Sequence, residues 1–181
     1  GVLKQAEVKF EPPLPKSKQE SIHRINMGVL NKVYLKFPKI FWDDVENISY
    51  VGEWAYWLNY VAYNGEPILL AFQGGDKGWA LEEFSDDKIV KSAMQTLRFL
   101  YGDDIPEPES YLITRWGKDK FSYGSYSYIP PFASGDDFDA LFEPVDGVLF
   151  FAGEATSRKY FATVHGAYLS GVEAGESVIS N

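Results

Sequence analysis

The run "GVLFFA", Gly147 to Ala152, is apolar throughout and is followed at once by Gly153-Glu154. A strand with apolar side chains on both faces must be buried on both, so the run predicts an inner strand of a sheet covered on two sides. Gly153-Glu154 turns the chain. From about Thr163 to Ile179 the spacing is helical, with Val164, Ala167, Tyr168, Val172, Val178 and Ile179 near one face. Gly166, Gly171 and Gly175 interrupt that helix, each at about 1 kcal/mol relative to Ala. They predict a body close against the helix backbone, either a packed segment or a flat ligand. The first turn of such a helix presents unpaired N–H groups and about half a positive charge. It can hold an anion or stabilise a developing one.

The rest of the chain alternates strands and separate helices, which predicts a mixed α/β (α+β) architecture. Leu3 to Phe10 reads as a short strand closed by Pro12, Pro13 and Pro15, and Ser17 to Asn26 as a polar helix ended by Gly28. In "VLNKVYLKF", Val29 to Phe37, the residues Val33, Leu35 and Phe37 alternate with Lys32, Tyr34 and Lys36. This is the period of a half-buried strand, and it sets Lys32 on the face opposite the core. "ISYVGEWAYWLNYVAY" and "ILLAFQG" predict two or three more strands, broken at Asn64-Gly65. "SDDKIVKSAMQTLRFLYG" is the clearest helix: Ser85 caps it, Asp86 and Asp87 complement its dipole, and Gly102 stops it. "SYLITRW" reads as a strand and "GSYSYIPPFASGDD" as a loop. There is no internal repeat.

The 181 residues carry 17 basic and 26 acidic side chains, a net charge of -9, and 17% are aromatic. The aromatic share argues against disorder. No basic patch exists to displace counterions, which argues against nucleic acid as a partner. The chain contains no cysteine, so disulfides, thiolate metal sites and a thiol nucleophile are excluded. His23 and His165 stand far apart with no clustered ligands, and no metal is expected. No apolar run approaches the roughly 20 residues of a membrane span, and no membrane association is expected. No signal peptide is visible at the start, and a cytoplasmic location is the expectation, though compartment does not follow from cysteine usage. The opening "GVLKQAEVKFEPPLP" reads as a cut through a longer protein.

The terminal block "LFFAGEATSRKYFATVHGAYLSG" resembles the C-terminal signature of flavin-containing amine oxidases, of the polyamine oxidase and lysine-specific histone demethylase type. "GVLK", "LNKVYLKF" with "FWDD", "SDDKIV", "TRW" and "GSYSY" occur in that family's order, so the resemblance runs nearly end to end. It implies a two-domain enzyme that takes a hydride equivalent from the carbon beside the nitrogen of a polyamine-like amine, leaving an imine, and passes the electrons through FAD to O2, giving H2O2. The partners implied are a small amine, O2 and an N-terminal half that grips most of the cofactor. The dinucleotide fingerprint of that half is absent here, since "GGDKG", Gly74 to Gly78, has the wrong spacing and context. The resemblance divides the chain into an FAD-domain segment at 1–28, a substrate-domain portion at 29–134 and a closing FAD-binding strand, turn and helix at 135–181.

The same resemblance implies roles for single residues. Lys32 matches a lysine that reaches a water beside the reactive flavin nitrogen; read by itself it is a surface lysine on an amphipathic strand. Tyr126 in "GSYS" matches a tyrosine lining the amine pocket, where its ring could hold a cation by about 0.5–2 kcal/mol; read by itself it is one more core aromatic. Thr163 matches a residue across that pocket. Trp116 and Phe121 match positions that usually carry two tryptophans near the flavin, and Phe121 keeps an aromatic wall without the indole donor. Gly153 and Glu154 match the turn that approaches the ribityl–pyrophosphate part of FAD. The Val164 amide matches one near the pyrimidine edge of the ring, where the helix dipole favours a developing anion.

Some positions depart from the pattern. Ala155 stands where many relatives have His, Phe161 replaces a Pro, and no Cys lies near "GSYSY" for a covalent flavin, so noncovalent FAD is expected. Two other readings stay open. One is a different flavoprotein of the same architecture, such as a methyl-lysine demethylase, a desaturase or a protoporphyrinogen oxidase. The other is a non-catalytic binding module that uses Trp54, Tyr56, Trp57, Tyr60 and Tyr63 as a peptide or sugar surface.

Overall fold

The computed structural model describes residues 1–180, which form two compact units. One is Val29–Lys118; the other joins Gly1–Gly28 to the chain from Asp119 onward. Residues 119–134, expected with the middle segment, cluster instead with the two ends.

The terminal unit opens with a 3-10 turn at Val2–Gln5, where a strand was expected. No described strand runs beside this segment, and an isolated strand leaves its backbone groups unpaired. Helix α1, Lys16–Arg24, ends at Ile25 in extended conformation, earlier than Gly28. Asn26–Gly28 form strand β1, which is extended because it pairs with Tyr126–Tyr128 (β7). β7 lies inside the stretch read as a loop; three residues are too few for a periodic signal, and pairing alone defines it.

The middle unit is a five-stranded antiparallel sheet in the order β3-β4-β5-β2-β6. Its strands are β2 (Leu30–Lys36), β3 (Asn47–Ser49), β4 (Tyr56–Asn59), β5 (Ile68–Gly74) and β6 (Ser110–Ile113). β2 lies between β5 and β6, with Val33 opposite both Ala71 and Ile113. Its alternation is the expected one: Val33, Leu35 and Phe37 are fully buried, whereas Lys32, Tyr34 and Lys36 are on the other face. Three helices complete the unit: α2 (Val61–Asn64), which ends at left-handed Gly65, α3 (Gly75–Leu81) and α4 (Asp86–Tyr101). The Ser85 hydroxyl accepts from the Lys88 amide and caps α4 as expected. Ile89, Ala93, Met94 and Leu97 of α4 join Val33, Leu35, Trp54, Trp57, Leu69 and Ala71 in one core. Burial of each Val, Leu, Ile or Met side chain there is worth roughly 1.5–3 kcal/mol. Trp54 and Trp57 are 2% and 0% exposed, with indole N–H groups held by the Ser92 hydroxyl and the Trp54 carbonyl. They are core residues and are not available as the surface of a binding module.

In the terminal unit, α5 (Gly135–Phe142) packs on α1 through Ile25, Phe138 and Leu141. Ser134 and Asp137 form a capping box at its start. Asp137 also accepts from the Ser21 hydroxyl and from Arg24, which joins α1 to α5. Lys18 closes the other end of α5: its Nζ donates to the carbonyls of Ala140, Leu141 and Glu143 at 2.7–2.8 Å. "GVLFFA" does not become a strand. It keeps one bridge, Val145 to Leu149, and Val148 is 83% exposed. Its apolar pattern is that of an inner strand, but no described strand lies alongside to take its hydrogen bonds. Gly153 with φ 138° and a 3-10 turn at Glu154–Thr156 then lead to the final helix, α6, Val164–Ser180.

Candidate functional site

Lys32 and Trp116 belong to the middle unit. The Lys32 side chain is on the open face of β2, and its Nζ makes no hydrogen bond or ion pair among the described residues. Its backbone is fixed on both sides: the amide donates to the Thr114 hydroxyl at 2.8 Å, and the carbonyl accepts from the Thr114 amide at 3.0 Å. β6 ends at Ile113, so the sheet no longer holds the segment carrying Trp116. Asn31 and Glu82 hold it instead. The Asn31 Oδ1 accepts from the Trp116 amide at 3.0 Å and from the Thr114 hydroxyl at 3.2 Å. Its Nδ2 donates to the Gly78 carbonyl at 3.1 Å and to Glu82 Oε1 at 2.7 Å. That same oxygen accepts from the Gly117 amide at 2.8 Å. Asn31 and Glu82 are 0% and 4% exposed. Neither was anticipated. The signal was an Asn in the buried stripe that continues through Val33, Leu35 and Phe37.

Tyr126, Phe121, Gly153, Glu154, Thr163 and Val164 belong to the terminal unit. Tyr126 faces Gly28 across the β1–β7 pair, and its ring lies on that glycine. A β-carbon at Gly28 would stand 3.0 Å from Tyr126 Cε2 and 3.2 Å from Cζ. Gly28, read as a helix stop, is thus the floor beneath the predicted substrate-side tyrosine. Phe121 is 79% exposed, with the Lys120 ammonium 5.0 Å from its ring centre.

The Glu154 carboxylate is occupied by the protein itself. It accepts from the Ser127 amide at 3.0 Å, the Ser127 hydroxyl at 2.6 Å and the Ala162 amide at 2.6 Å. It therefore ties β7 to the two turns before α6. The Thr163 hydroxyl is likewise engaged: it donates to the Tyr160 carbonyl at 2.6 Å and accepts from the Gly166 amide at 3.0 Å, capping α6. The next two amides, of Val164 and His165, have no acceptor among the described residues, and Val164 is 89% exposed. Of the helix glycines, Gly166 has a close neighbour, since a β-carbon there would meet the Tyr160 carbonyl at 2.0 Å. Gly171 and Gly175 face open space. Among the described residues no group of three His, Asp or Glu side chains could hold a metal, and no helix is long and apolar enough to cross a membrane.

The family model for flavin-containing amine oxidoreductases matches residues 1–179. This chain belongs to that family. It is 44% identical over 191 residues to lysine-specific histone demethylase 1 homolog 1 of Arabidopsis thaliana, covering 99% of this chain and 23% of that protein. It is 42% identical over 180 residues to polyamine oxidase 2 of the same plant, covering 97% and 36%. The chain thus spans about a quarter to a third of these relatives. Among solved structures, cyclohexylamine oxidase from Brevibacterium oxydans IH-35A superposes with a TM-score of 0.83 at 22% identity, over 99% of this chain and 41% of that one. That likeness concerns the fold: mixed α/β, as expected. Family membership brings flavin use with it. The start of α6 fits such a group, for it offers two outward amides at the positive end of a 17-residue helix. Beside it, Gly153 has nothing within 4 Å of where a β-carbon would stand.

Proposed function

We propose that this chain is part of an FAD-dependent amine oxidase that oxidises a C–N bond of a secondary or tertiary aliphatic amine, with a polyamine-like molecule as substrate. Bound FAD would take two electrons from the amine and deliver them to O2. The balance is R–CH2–NH–R′ + O2 + H2O → R–CHO + R′–NH2 + H2O2, the imine being hydrolysed in between. The observation that carries the reading is the family match over residues 1–179, joined to a lysine side chain on the open face of β2 that has no partner among the described residues.

In this reading Lys32 Nζ holds a water at the ring and can exchange a proton with it. Trp116 and Phe121 provide aromatic walls. Tyr126, seated on Gly28, packs against the amine and offers a cation–π contact of about 0.5–2 kcal/mol to its charged form. The Val164 amide and the α6 dipole stabilise negative charge at the ring edge. Glu154 and Thr163 act one step back: Glu154 holds the turns together and Thr163 caps the helix, so each shapes the rim. Noncovalent attachment accords with the absence of cysteine.

A second substrate, a methylated lysine side chain, is favoured by the names of the relatives at 40–44% identity, most of which are histone demethylase homologues. A peroxide-release assay on the full-length enzyme decides between them. Its panel holds spermine, spermidine, acetylated polyamines, monoamines and a dimethyl-lysine peptide. Turnover of the free polyamines supports the first reading, turnover of the peptide alone supports the second, and absence of peroxide with every amine defeats both.

A further inference from the structure

We propose that Asn31 and Glu82 are positioning residues, forming a buried amide–carboxylate clamp that sets Lys32 and Trp116 relative to one another for reaction with O2. The proposal rests on the roles given to Lys32 and Trp116 above.

Asn31 interrupts an otherwise apolar stripe, and a buried amide is tolerated only when its groups are satisfied. Here they are: two contacts to Oδ1, from Trp116 and Thr114, and two from Nδ2, to Gly78 and Glu82. Glu82 adds the Gly117 amide, and its own carbonyl accepts from Lys118 Nζ at 2.8 Å. The fit extends to Gly117. A β-carbon there would stand 2.2 Å from the Trp79 ring and 2.9 Å from Glu82 Oε2. Three segments far apart in sequence thus meet at one polar point beneath the sheet: the start of β2, the end of α3 and the stretch after β6. Removing Asn31 takes the acceptor from the Trp116 amide and one donor each from the Gly78 carbonyl and Glu82 Oε1, in a place where an unpaired group is strongly unfavourable. An apolar core could have closed this corner equally well. What the polar clamp adds is a fixed direction for the backbone on either side of Lys32 and Trp116, and small misplacements of reacting groups slow reactions steeply.

The test uses the full-length, FAD-loaded enzyme and two readouts. In Asn31→Ala and Glu82→Ala, hydrogen exchange at the Trp116 and Gly117 amides rises by about tenfold or more, while the amides of Leu69–Ala71 in the sheet keep their protection. In the same variants the rate constant for reaction of the reduced enzyme with O2 falls by about tenfold or more. Combined with Lys32→Met, Asn31→Ala produces no further loss, because it acts through that lysine. Glu82→Gln, which keeps an acceptor oxygen in place, restores most of what Glu82→Ala loses in both readouts. Should Asn31→Ala fail to fold, Thr114→Val removes the hydroxyl shared by Asn31 and Lys32 at nearly constant volume and is held to the same criteria. Unchanged exchange at Trp116 and Gly117 overturns the proposal. So does an oxygen rate within about twofold of wild type, or a loss that multiplies with that of Lys32→Met. A wild type reduced by no amine defeats the functional reading instead, and leaves the exchange data to judge the clamp.

Discussion

Two glycines show how single residues carry the geometry. Gly28 leaves room for the Tyr126 ring at 3.0 Å, closer than a methyl group could comfortably approach. Gly28→Ala displaces that ring by a few tenths of an ångström. We expect KM for the amine to rise several-fold in the full-length enzyme while FAD content, read from the flavin absorbance, is unchanged. Equal KM values remove Tyr126 from the pocket wall. Gly166 is under a harder restraint, since the Tyr160 carbonyl is backbone and has nowhere to go. The helix-propensity gain of about 1 kcal/mol for Gly→Ala is therefore overwhelmed by crowding of about 1–3 kcal/mol, and Gly166→Ala destabilises. Gly171, with open space around it, is the control: Gly171→Ala stabilises by up to about 1 kcal/mol. Urea midpoints of the three proteins decide the matter, and a destabilised Gly171→Ala would mean that some further body lies on that side of α6.

At the scale of elements, the end of α5 depends on a lysine reaching from α1. Lys18 is 2% exposed and satisfies three carbonyls that the helix itself leaves unpaired. Lys18→Met leaves them without a donor, and we expect a loss of about 1–3 kcal/mol in urea denaturation at pH 7. Burial lowers the Lys18 pKa from the usual 10.5 to about 8, against the opposing pull of Glu143. Between those two values the unfolded chain binds more protons than the folded one, so this residue's contribution rises as the pH climbs from about 8 to 10.5 and is flat below. The stability gap between wild type and Lys18→Met therefore widens over that interval. A gap that narrows there would show that the ammonium form is the one the fold prefers.

At the scale of the whole molecule, the proposed reading gives this chain the ring-facing elements of a flavin site, and its sequence holds no glycine-rich dinucleotide fingerprint that would grip the phosphates. The 181-residue chain by itself is expected to bind FAD weakly or not at all, and micromolar affinity in a fluorescence-quenching titration would refute this. In the full-length enzyme, Lys32→Met is expected to slow the oxygen reaction by about tenfold or more, on the scale of lost proton-transfer assistance, with FAD still bound. Oxygen-dependent turnover equal to wild type would take Lys32 out of the mechanism.

Where side chains repeat with a clear period, the sequence by itself determined the structure. The alternation in β2, the apolar face and Ser85 cap of α4, and the glycine turn leading into α6 all follow from local rules, because local rules govern one face and one end of an element at a time. The residue string that carries the family resemblance was equally legible. Tertiary structure alone decided the rest. β1 and β7 exist because they pair with each other across about a hundred residues. "GVLFFA" joins no sheet among the described residues, keeping the Val145–Leu149 bridge, because a strand needs a neighbour as well as a pattern. Asn31, Glu82 and Gly28 looked ordinary in the sequence, since their meaning lies in partners that only folding brings within 3 Å. Glu154 and Thr163 showed the converse. Their positions were foreseen, but the atoms that take up their oxygens belong to Ser127, Ala162, Tyr160 and Gly166, and no spacing rule names those partners in advance.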